Sequence, residues 1–378
     1  MDTLKNKDRY KANDSAVILR MKSILLGAGL TLSISAIAQE KQAPAWVVSG
    51  YLETYYSYDA NRPVNNTKPA FLYNHHRNNE VNVNLGMVKV GFSNENLRSN
   101  IALGAGTYMN ANYTAEPGVL KNIYEANVGV KLPGKANLWL DAGILPSHIG
   151  WESAIGKDCP TLTRSIAAEN SPYFETGIKL GYSSPNEKWQ LSVFLLNGWQ
   201  RIQRIDGNTT PAFGTQLTYK PSAKITLNSS SFIGNDKPDS IKQMRYFHDL
   251  YGNFQLSDRW SLLAGFDIGF EQQAKGASKL NTWYTPVLIA KYAPDKKLSL
   301  SARGEYFSDK HGVIIATGTP RGMQTWGISA NADYRISEDV IWRIEARHLD
   351  NSDAIFQKHA GNTGTGSLTF TTALAIGF

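Results

Sequence analysis

The sequence predicts an all-β protein: one transmembrane, antiparallel up-and-down β-barrel of about 16 strands, with short periplasmic turns and long extracellular loops. Three observations carry this. Apolar and polar residues alternate with period 2 from Trp46 to the C-terminus. The connections between the alternating segments are short and long by turns. An apolar leader of secretory type precedes them.

Composition narrows the field first. The chain has 378 residues, enough for two or three domains at roughly 150 residues each. Hydrophobic residues make up 42% and charged residues 19%, and the mean hydropathy is −0.32. That is too polar for a bundle of membrane helices, which needs apolar runs of about 20 residues. With 18 Tyr, 14 Phe and 9 Trp it is too aromatic for disorder. One cysteine excludes an intramolecular disulfide and any multi-cysteine metal site.

Residues 21–38 read MKSILLGAGLTLSISAIA. Lys22 supplies the positive start, Ile24 to Ala38 the apolar stretch, and Ala36-Ile37-Ala38 the small-x-small cleavage pattern. This predicts a signal peptide cleaved near Ala38, with the mature chain starting at Gln39. No cysteine follows the cleavage site, which disfavours a lipoprotein. Residues 1–20 precede this leader and read as a start-site artefact, with Met21 the true start. Removing residues 1–38 leaves 33 basic and 29 acidic residues, so the net charge falls from +7 to +4. Without a clustered basic stripe, no nucleic-acid partner is expected. Residues 39–378 are then a single domain, bound for the outer membrane of a Gram-negative cell.

Sixteen segments show the alternation: 46–58, 78–93, 96–110, 120–132, 136–146, 172–183, 187–199, 210–220, 223–234, 244–256, 259–271, 280–293, 296–308, 323–336, 339–350 and 366–378. Period 2 places alternate side chains on opposite faces of a strand. Short turns such as Ser93-Asn94-Glu95, Pro133-Gly134-Lys135 and Ser184-Pro185-Asn186 are built from turn-forming residues. The longer connections span 59–77, 111–119, 147–171, 200–209, 235–243, 272–279, 309–322 and 351–365. Strict alternation of the two kinds trims one rim and elaborates the other, as in outer-membrane barrels. The spanning sheet must close, because an open edge in lipid leaves backbone groups unpaired.

The strand faces divide by polarity. One face of 339–350 carries Val340, Trp342, Ile344 and Ala346, and the other Arg343, Glu345 and Arg347. In a membrane the apolar face turns to lipid and the charged face lines the lumen. The expected pore lining is therefore Glu53, Arg98, Glu125, Lys131, Asp141, Glu175, Lys179, Asp267, Arg303, Glu305, Asp333, Arg335, Arg343, Glu345 and Arg347. Such charges set ion and solute preference. The alternative is a plugged barrel in which they form cross-strand ion pairs.

Connection 147–171 is the longest and the third on the elaborated rim. Its Trp151, Ile155, Leu162, Ile166 and Ala167 are more apolar groups than a solvated loop needs, so the loop is expected to pack against something. Its Glu152, Lys157, Asp158, Arg164 and Glu169 make it a candidate constriction folded into the lumen. A loop capping the rim or packing on a neighbouring subunit is the alternative.

Several stretches carry a family resemblance. Gly150-Trp151-Glu152-Ser153-Ala154, Ser171-Pro172-Tyr173-Phe174-Glu175-Thr176-Gly177-Ile178-Lys179 and Asn197-Gly198-Trp199-Gln200 resemble the OmpL-like β-barrel porin family common in Bacteroidetes. The C-terminal Leu374, Ile376 and Phe378 resemble the signal read by the barrel-assembly machinery. The resemblance implies an outer-membrane transport channel and no catalytic residues. Expected partners are outer-membrane lipid, the barrel-assembly machinery, small hydrophilic solutes and, by analogy, a homo-oligomer.

Other chemistry has thin support. The seven histidines are scattered, and adjacent His75 and His76 would point to opposite faces of a strand. Cys159 has no evident histidine partner. No metal, cofactor or catalytic group is assigned. The expected function is passive diffusion of small hydrophilic solutes or ions. A non-conducting surface or structural barrel of adhesin type comes second, and an envelope hydrolase third.

Overall fold

A computed structural model describes residues 45–378. The expected leader, its cleavage site and residues 1–20 lie outside the described residues. Sixteen strands close a continuous antiparallel barrel in which neighbours in sequence pair and the last strand returns to the first. They are β1 (Ala45–Asp59), β2 (Val81–Ser93), β3 (Leu97–Ala105), β4 (Ile123–Lys131), β5 (Asn137–Pro146), β6 (Phe174–Ser183), β7 (Trp189–Leu196) and β8 (Ala212–Ser222). The ring continues with β9 (Ile225–Gly234), β10 (Arg245–Gln255), β11 (Trp260–Gln272), β12 (Leu280–Tyr292), β13 (Leu298–Asp309), β14 (Met323–Arg335) and β15 (Val340–Asn351). A two-residue pair, β16 (Phe356–Gln357) with β17 (Thr363–Gly364), sits in the last loop, and β18 (Gly366–Gly377) closes the ring.

The seam is fully paired. β18 runs beside β1 from Tyr51 opposite Gly377 to Asp59 opposite Thr369. Gly50 and Phe378 exchange two backbone hydrogen bonds of 2.9 and 3.1 Å beyond that ladder. No spanning strand is left with an open edge, as lipid requires.

The two rims differ as expected. Turns 94–96, 132–136, 184–188, 223–224, 256–259, 293–297 and 336–339 close one end. The other end carries L1 (60–80), L2 (106–122), L3 (147–173), L4 (197–211), L5 (235–244), L6 (273–279), L7 (310–322) and L8 (352–365).

The apolar face is the outward one. On β15, Trp342 and Ile344 are exposed while Arg343 and Glu345 are buried inside. On β18, Leu374, Ile376 and Phe378 face out, and Thr371, Ala373 and Ala375 face in. Aromatic pairs ring both ends of the outer surface. Trp46–Phe92, Trp189–Tyr219 and Trp260–Tyr292 mark the short-turn side, and Tyr284, Tyr306 and Trp326 the long-loop side. Amphipathic rings hold a barrel at the two interfaces of a bilayer.

Four strands are shorter than their sequence pattern by three residues or more, among them β4, which begins at Ile123 rather than 120 after a 3₁₀ turn, Gly118–Asn122. The alternation continues to residue 110, but β3 ends at Ala105 and a short helix, α1 (Thr107–Asn112), follows. Gly106 makes the turn at φ 135°, and a Cβ there would sit 2.3 Å from the Asn84 carbonyl oxygen. Likewise β7 stops at Leu196 rather than 199, where Gly198 turns at φ 152°. β2 begins at Val81 rather than 78. Local alternation cannot register a backbone turn that tertiary contacts impose.

Gly106→Ala puts a methyl group into the Asn84 backbone and a side chain into a left-handed conformation. We expect it to destabilise the barrel by about 1–3 kcal/mol. The shift from folded to unfolded gel mobility on heating would then move to lower temperature.

Candidate functional site

Among the described residues the closed sheet surrounds a lumen, and L3 runs through it. Every residue from Thr161 to Glu169 is buried. Ser165 caps α2 (Ile166–Glu169) by accepting from the Ala168 amide at 3.2 Å. The loop holds its own turn through Arg164, which donates to the carbonyls of Ser153 (2.6 Å), Ala154 (3.0 Å) and Leu162. Glu152 accepts from the Ser165 amide and hydroxyl. Arg164 and Glu152 therefore fold the loop on itself.

One arc of the wall receives the loop. Arg343 and Asp333 face each other across β14 and β15 and are bridged at 2.7 Å. Arg343 also donates to the carbonyls of Gly156 and Cys159. Glu345 accepts from the Thr163 amide and hydroxyl at 2.5 and 2.9 Å and pairs with Arg303 at 3.0 Å. Arg303 donates to the Thr163 carbonyl at 2.6 Å. Glu305 accepts from the Ile166 amide at 2.6 Å and from Arg347 at 2.7 Å. Asn331 takes the Leu162 amide at 3.0 Å. These alternating charges are buried, and each depends on an opposite charge or a loop dipole to offset its desolvation. Trp151 packs over Gly265 and joins Leu263, Val287, Ile289 and Ala167.

The two ends of L3 are tied elsewhere. At its start His148 is stacked on Phe194, with Nδ1 2.5 Å from Glu175 Oε2 and Nε2 2.9 Å from the Ser231 carbonyl. Burial by itself would lower the imidazole's affinity for a proton, but the Glu175 charge and hydrogen bond outweigh it and raise its pKa. Both ring nitrogens face acceptors, so the imidazolium satisfies both. At its end Glu169 accepts from the L1 amides of Tyr73 and Asn74. L1 itself enters the lumen: His75 meets Glu53 at 2.7 Å, and Asn84 meets the same carboxylate at 2.9 Å. Lys68 of L1 is buried with one 3.4 Å contact to Thr371, and burial pushes its pKa down to about 8.

Above L3 the inward face carries an apolar cluster beside the paired Arg245 and Glu271. Phe194, Phe232, Phe247, Trp283, Phe307, Met323 and Leu349 point in near the loop rim and pack with Phe71, Ile166, Ile315 and Phe356. Polarity alternation along each strand separates the faces but does not show this change with depth.

On the opposite arc, β2 to β8, L3's middle section makes apolar contact, where Ala154 and Ile155 join a cluster with Leu85, Met87, Ala102 and Ile144 among the described residues. A cavity of ≈ 350 Å³ lies there, lined by Arg98, Glu125, Asp141, His148, Lys179 and Gln216 among others. Arg98 grips Asp141 through two bonds of 2.6 and 2.5 Å. Lys89 meets Glu125 at 2.6 Å. Lys179 and Lys131 make no ion pair among the described residues.

The fifteen wall positions expected from sequence thus fall into distinct environments. Arg303, Glu305, Arg343 and Glu345 bond L3, and Asp333 and Arg347 pair with Arg343 and Glu305 behind them. Glu53 holds L1 and Glu175 holds His148. Asp267 is buried opposite Asp249 on β10. Arg98, Glu125, Asp141 and Lys179 line the cavity of the opposite arc, and Lys131 ends β4 at the short-turn rim. Arg335 sits at the short-turn rim, exposed, and donates to the Glu338 carbonyl. Of the loop positions, Glu152, Arg164 and Glu169 are buried in bonds, while Lys157 and Asp158 are exposed. Arg164, spent on carbonyls, presents no charge to water. Asn331, His148, Lys89 and Lys68 were not singled out by the sequence. Alternation puts Asn331 on the polar face of its strand, but the expected lining takes only charged residues, and a loop histidine carries no periodic signal.

The family described as "Putative beta-barrel porin-2, OmpL-like" matches residues 46–378. Among curated proteins none matches the chain. Solved structures match over most of the length. An anion-selective porin from Comamonas acidovorans is 9% identical, with 89% of this chain and 100% of that chain covered, at a TM-score of 0.59. The outer-membrane channel DcaP of Acinetobacter baumannii is 10% identical, covering 89% and 97%, at 0.57. OmpF of Salmonella typhi in complex with daunomycin is 10% identical, covering 88% and 97%, at 0.55. At such identities the likeness is one of fold.

Two predictions follow from the anchors. Glu345→Ala removes one of the two carboxylates paired with buried Arg303, leaving Glu305 at 3.2 Å, and frees the Thr163 amide, at a cost of about 1–3 kcal/mol. Protease cleavage within 152–166 should become rapid in the otherwise folded barrel. The His148 pKa is raised on folding, so its contribution is complete below the unfolded value of about 6.5 and is lost as pH climbs through the folded value. Hydrogen exchange at residues 147–151 should therefore quicken as pH rises beyond the intrinsic trend, and His148→Phe should remove that excess.

Proposed function

The chain belongs to the β-barrel porin-2, OmpL-like family, and from that premise we propose that it is an outer-membrane porin for passive diffusion of small hydrophilic solutes, with L3 as the constriction. The mature chain would begin at Gln39 after export. Solutes would pass between L3 and the β2–β8 arc. The observation that carries this reading is the asymmetry of the lumen: L3 is bonded to β13–β15, and a charged cavity remains on the far side.

The charges of that arc give a direction of selectivity. Lys89, Arg98, Lys131 and Lys179 stand against Glu125, Asp141 and Glu175, four basic groups to three acidic, with Glu175 bonded to His148. Charges fixed along a narrow wall bias which ions enter. A mild preference for anions is the expected result. The Comamonas porin is described as anion-selective, but at that identity selectivity rests on the residues here.

A second reading has one specific observation behind it. The aromatic cluster between the loop rim and L3 fills part of the outer lumen, as in a barrel that does not conduct. Planar-bilayer recording separates the two. Folded protein should give conductance steps, and deleting residues 155–167 should enlarge them. Steps unchanged by the deletion would reject the constriction, and no steps at all would leave the non-conducting barrel. Lys131→Glu with Lys179→Glu should reverse the sign of the reversal potential in a salt gradient.

A further inference from the structure

On the outer side of L3, where solutes would arrive first, L2, L4, L5 and L7 enclose a cavity of ≈ 340 Å³ with the end of L3 as its floor. That volume is within the range of about 300–1,000 Å³ typical of small-molecule sites.

Its polar groups are almost all committed. Glu116 accepts from the amides of Ile202 and Gln203. Glu169 is held by L1 amides. Asp236 accepts from the Trp199 amide at 2.9 Å and pairs with Arg245 at 3.2 Å. Arg245 and Lys237 both pair with Glu271, at 2.7 and 2.9 Å.

Arg201 is the exception. It is half-buried, its Nε is enclosed with no partner, and it makes no hydrogen bond or ion pair among the described residues. The backbone that presents it is rigidly held. Gly198 turns at φ 152° and Gln200 sits at φ 54°. The Gln200 side chain accepts from the Tyr173 amide at 2.7 Å and donates to Asn112 at 3.0 Å, stitching L4 to L3 and L2. Trp199 is fixed edge-on to Phe232 and Phe247 at 5.1 and 4.9 Å. A left-handed non-glycine residue held this firmly marks a position the surroundings over-determine.

We infer that this vestibule is a binding subsite for monocarboxylates with an apolar or aromatic body, the carboxylate taken by Arg201 and the body by Trp199, Val313 and Ile314. A guanidinium offers a planar fork that fits a carboxylate with two parallel hydrogen bonds. Trp199 and the two aliphatic residues line the same space. The carboxylates of Glu116, Glu169 and Asp236 already line the wall, so a second negative charge on the ligand would meet repulsion. A lone carboxylate is therefore favoured over a dicarboxylate or inorganic phosphate. The inference deepens the porin reading by naming a solute class, and it is tested without flux.

The probe is benzoate, titrated calorimetrically into the full chain in detergent micelles, with folding checked by heat-modifiable mobility. Benzoate should bind the native protein, and neither benzyl alcohol nor inorganic phosphate should displace it. Arg201→Gln should weaken binding by about tenfold or more, the worth of charge-assisted hydrogen bonds. Arg201→Lys, which keeps the charge and loses the fork, should fall between. Equal benzoate affinity in native and Arg201→Gln proteins would overturn the inference, as would absence of binding to the native protein or displacement by benzyl alcohol. Intact binding in a protein that gives no conductance steps would support the subsite and reject the porin alone.

Discussion

Closure of β1 on β18 is the constraint on which the rest depends. In a bilayer no water is available to an unpaired amide or carbonyl, each of which costs several kcal/mol. The ladder from Tyr51–Gly377 to Asp59–Thr369 removes the only edge the sheet would have. Once the ring is closed, period-2 alternation has a fixed meaning: one set of side chains must suit lipid and the other must suit whatever fills the lumen. The exposed Trp342 and Ile344 beside the buried Arg343 and Glu345 are that rule at four consecutive positions.

A closed ring of this size creates the second problem, a wall of inward charges partly withdrawn from water. β13–β15 solve it with opposite charges on neighbouring strands and with the backbone of L3. Each wall carboxylate there needs donors, and the loop has amides that a helix or sheet would otherwise satisfy. Glu345 takes Thr163, Glu305 takes Ile166, and Arg343 takes the carbonyls of Gly156 and Cys159. The loop and the wall thus satisfy each other. Their separate removal from water is expensive, and their union offsets much of that cost.

The barrel itself was legible in the sequence because two strong signals agree. Alternation fixes strand identity, and the short–long rhythm of connections fixes how strands follow one another. The strand limits agree to within a residue or two except at β2, β3, β4 and β7, where L1 enters the lumen, a 3₁₀ turn precedes the strand or a glycine turns the chain early. The apolar side chains of 147–171 also foretold that this loop packs. What could not be read was depth and partnership. Which charge faces which is set by register across strands, as Asp333 opposite Arg343, and register has no local signature. Arg164 had the composition of a pore charge and the surroundings of a loop staple, since only folding brings the carbonyls of Ser153, Ala154 and Leu162 to it.

The same reasoning explains why the lumen is lopsided. L3 leaves the barrel after β5 and must return to begin β6, so both its ends are fixed on adjacent strands. To reach β13–β15 it has to cross the interior. Its middle is held by the far wall through charge, and its ends by His148 on the near wall and Glu169 on L1. A strap fixed at these places leaves space on the arc beside its origin, where Arg98 and Asp141 are bonded to each other instead of to the loop. Their exclusive pairing means that these two residues need nothing from L3, while Glu175 and Gln216 on the same arc hold only its first residues through His148. The solute path we propose along that arc therefore leaves the bonds from β13–β15 to the loop in place.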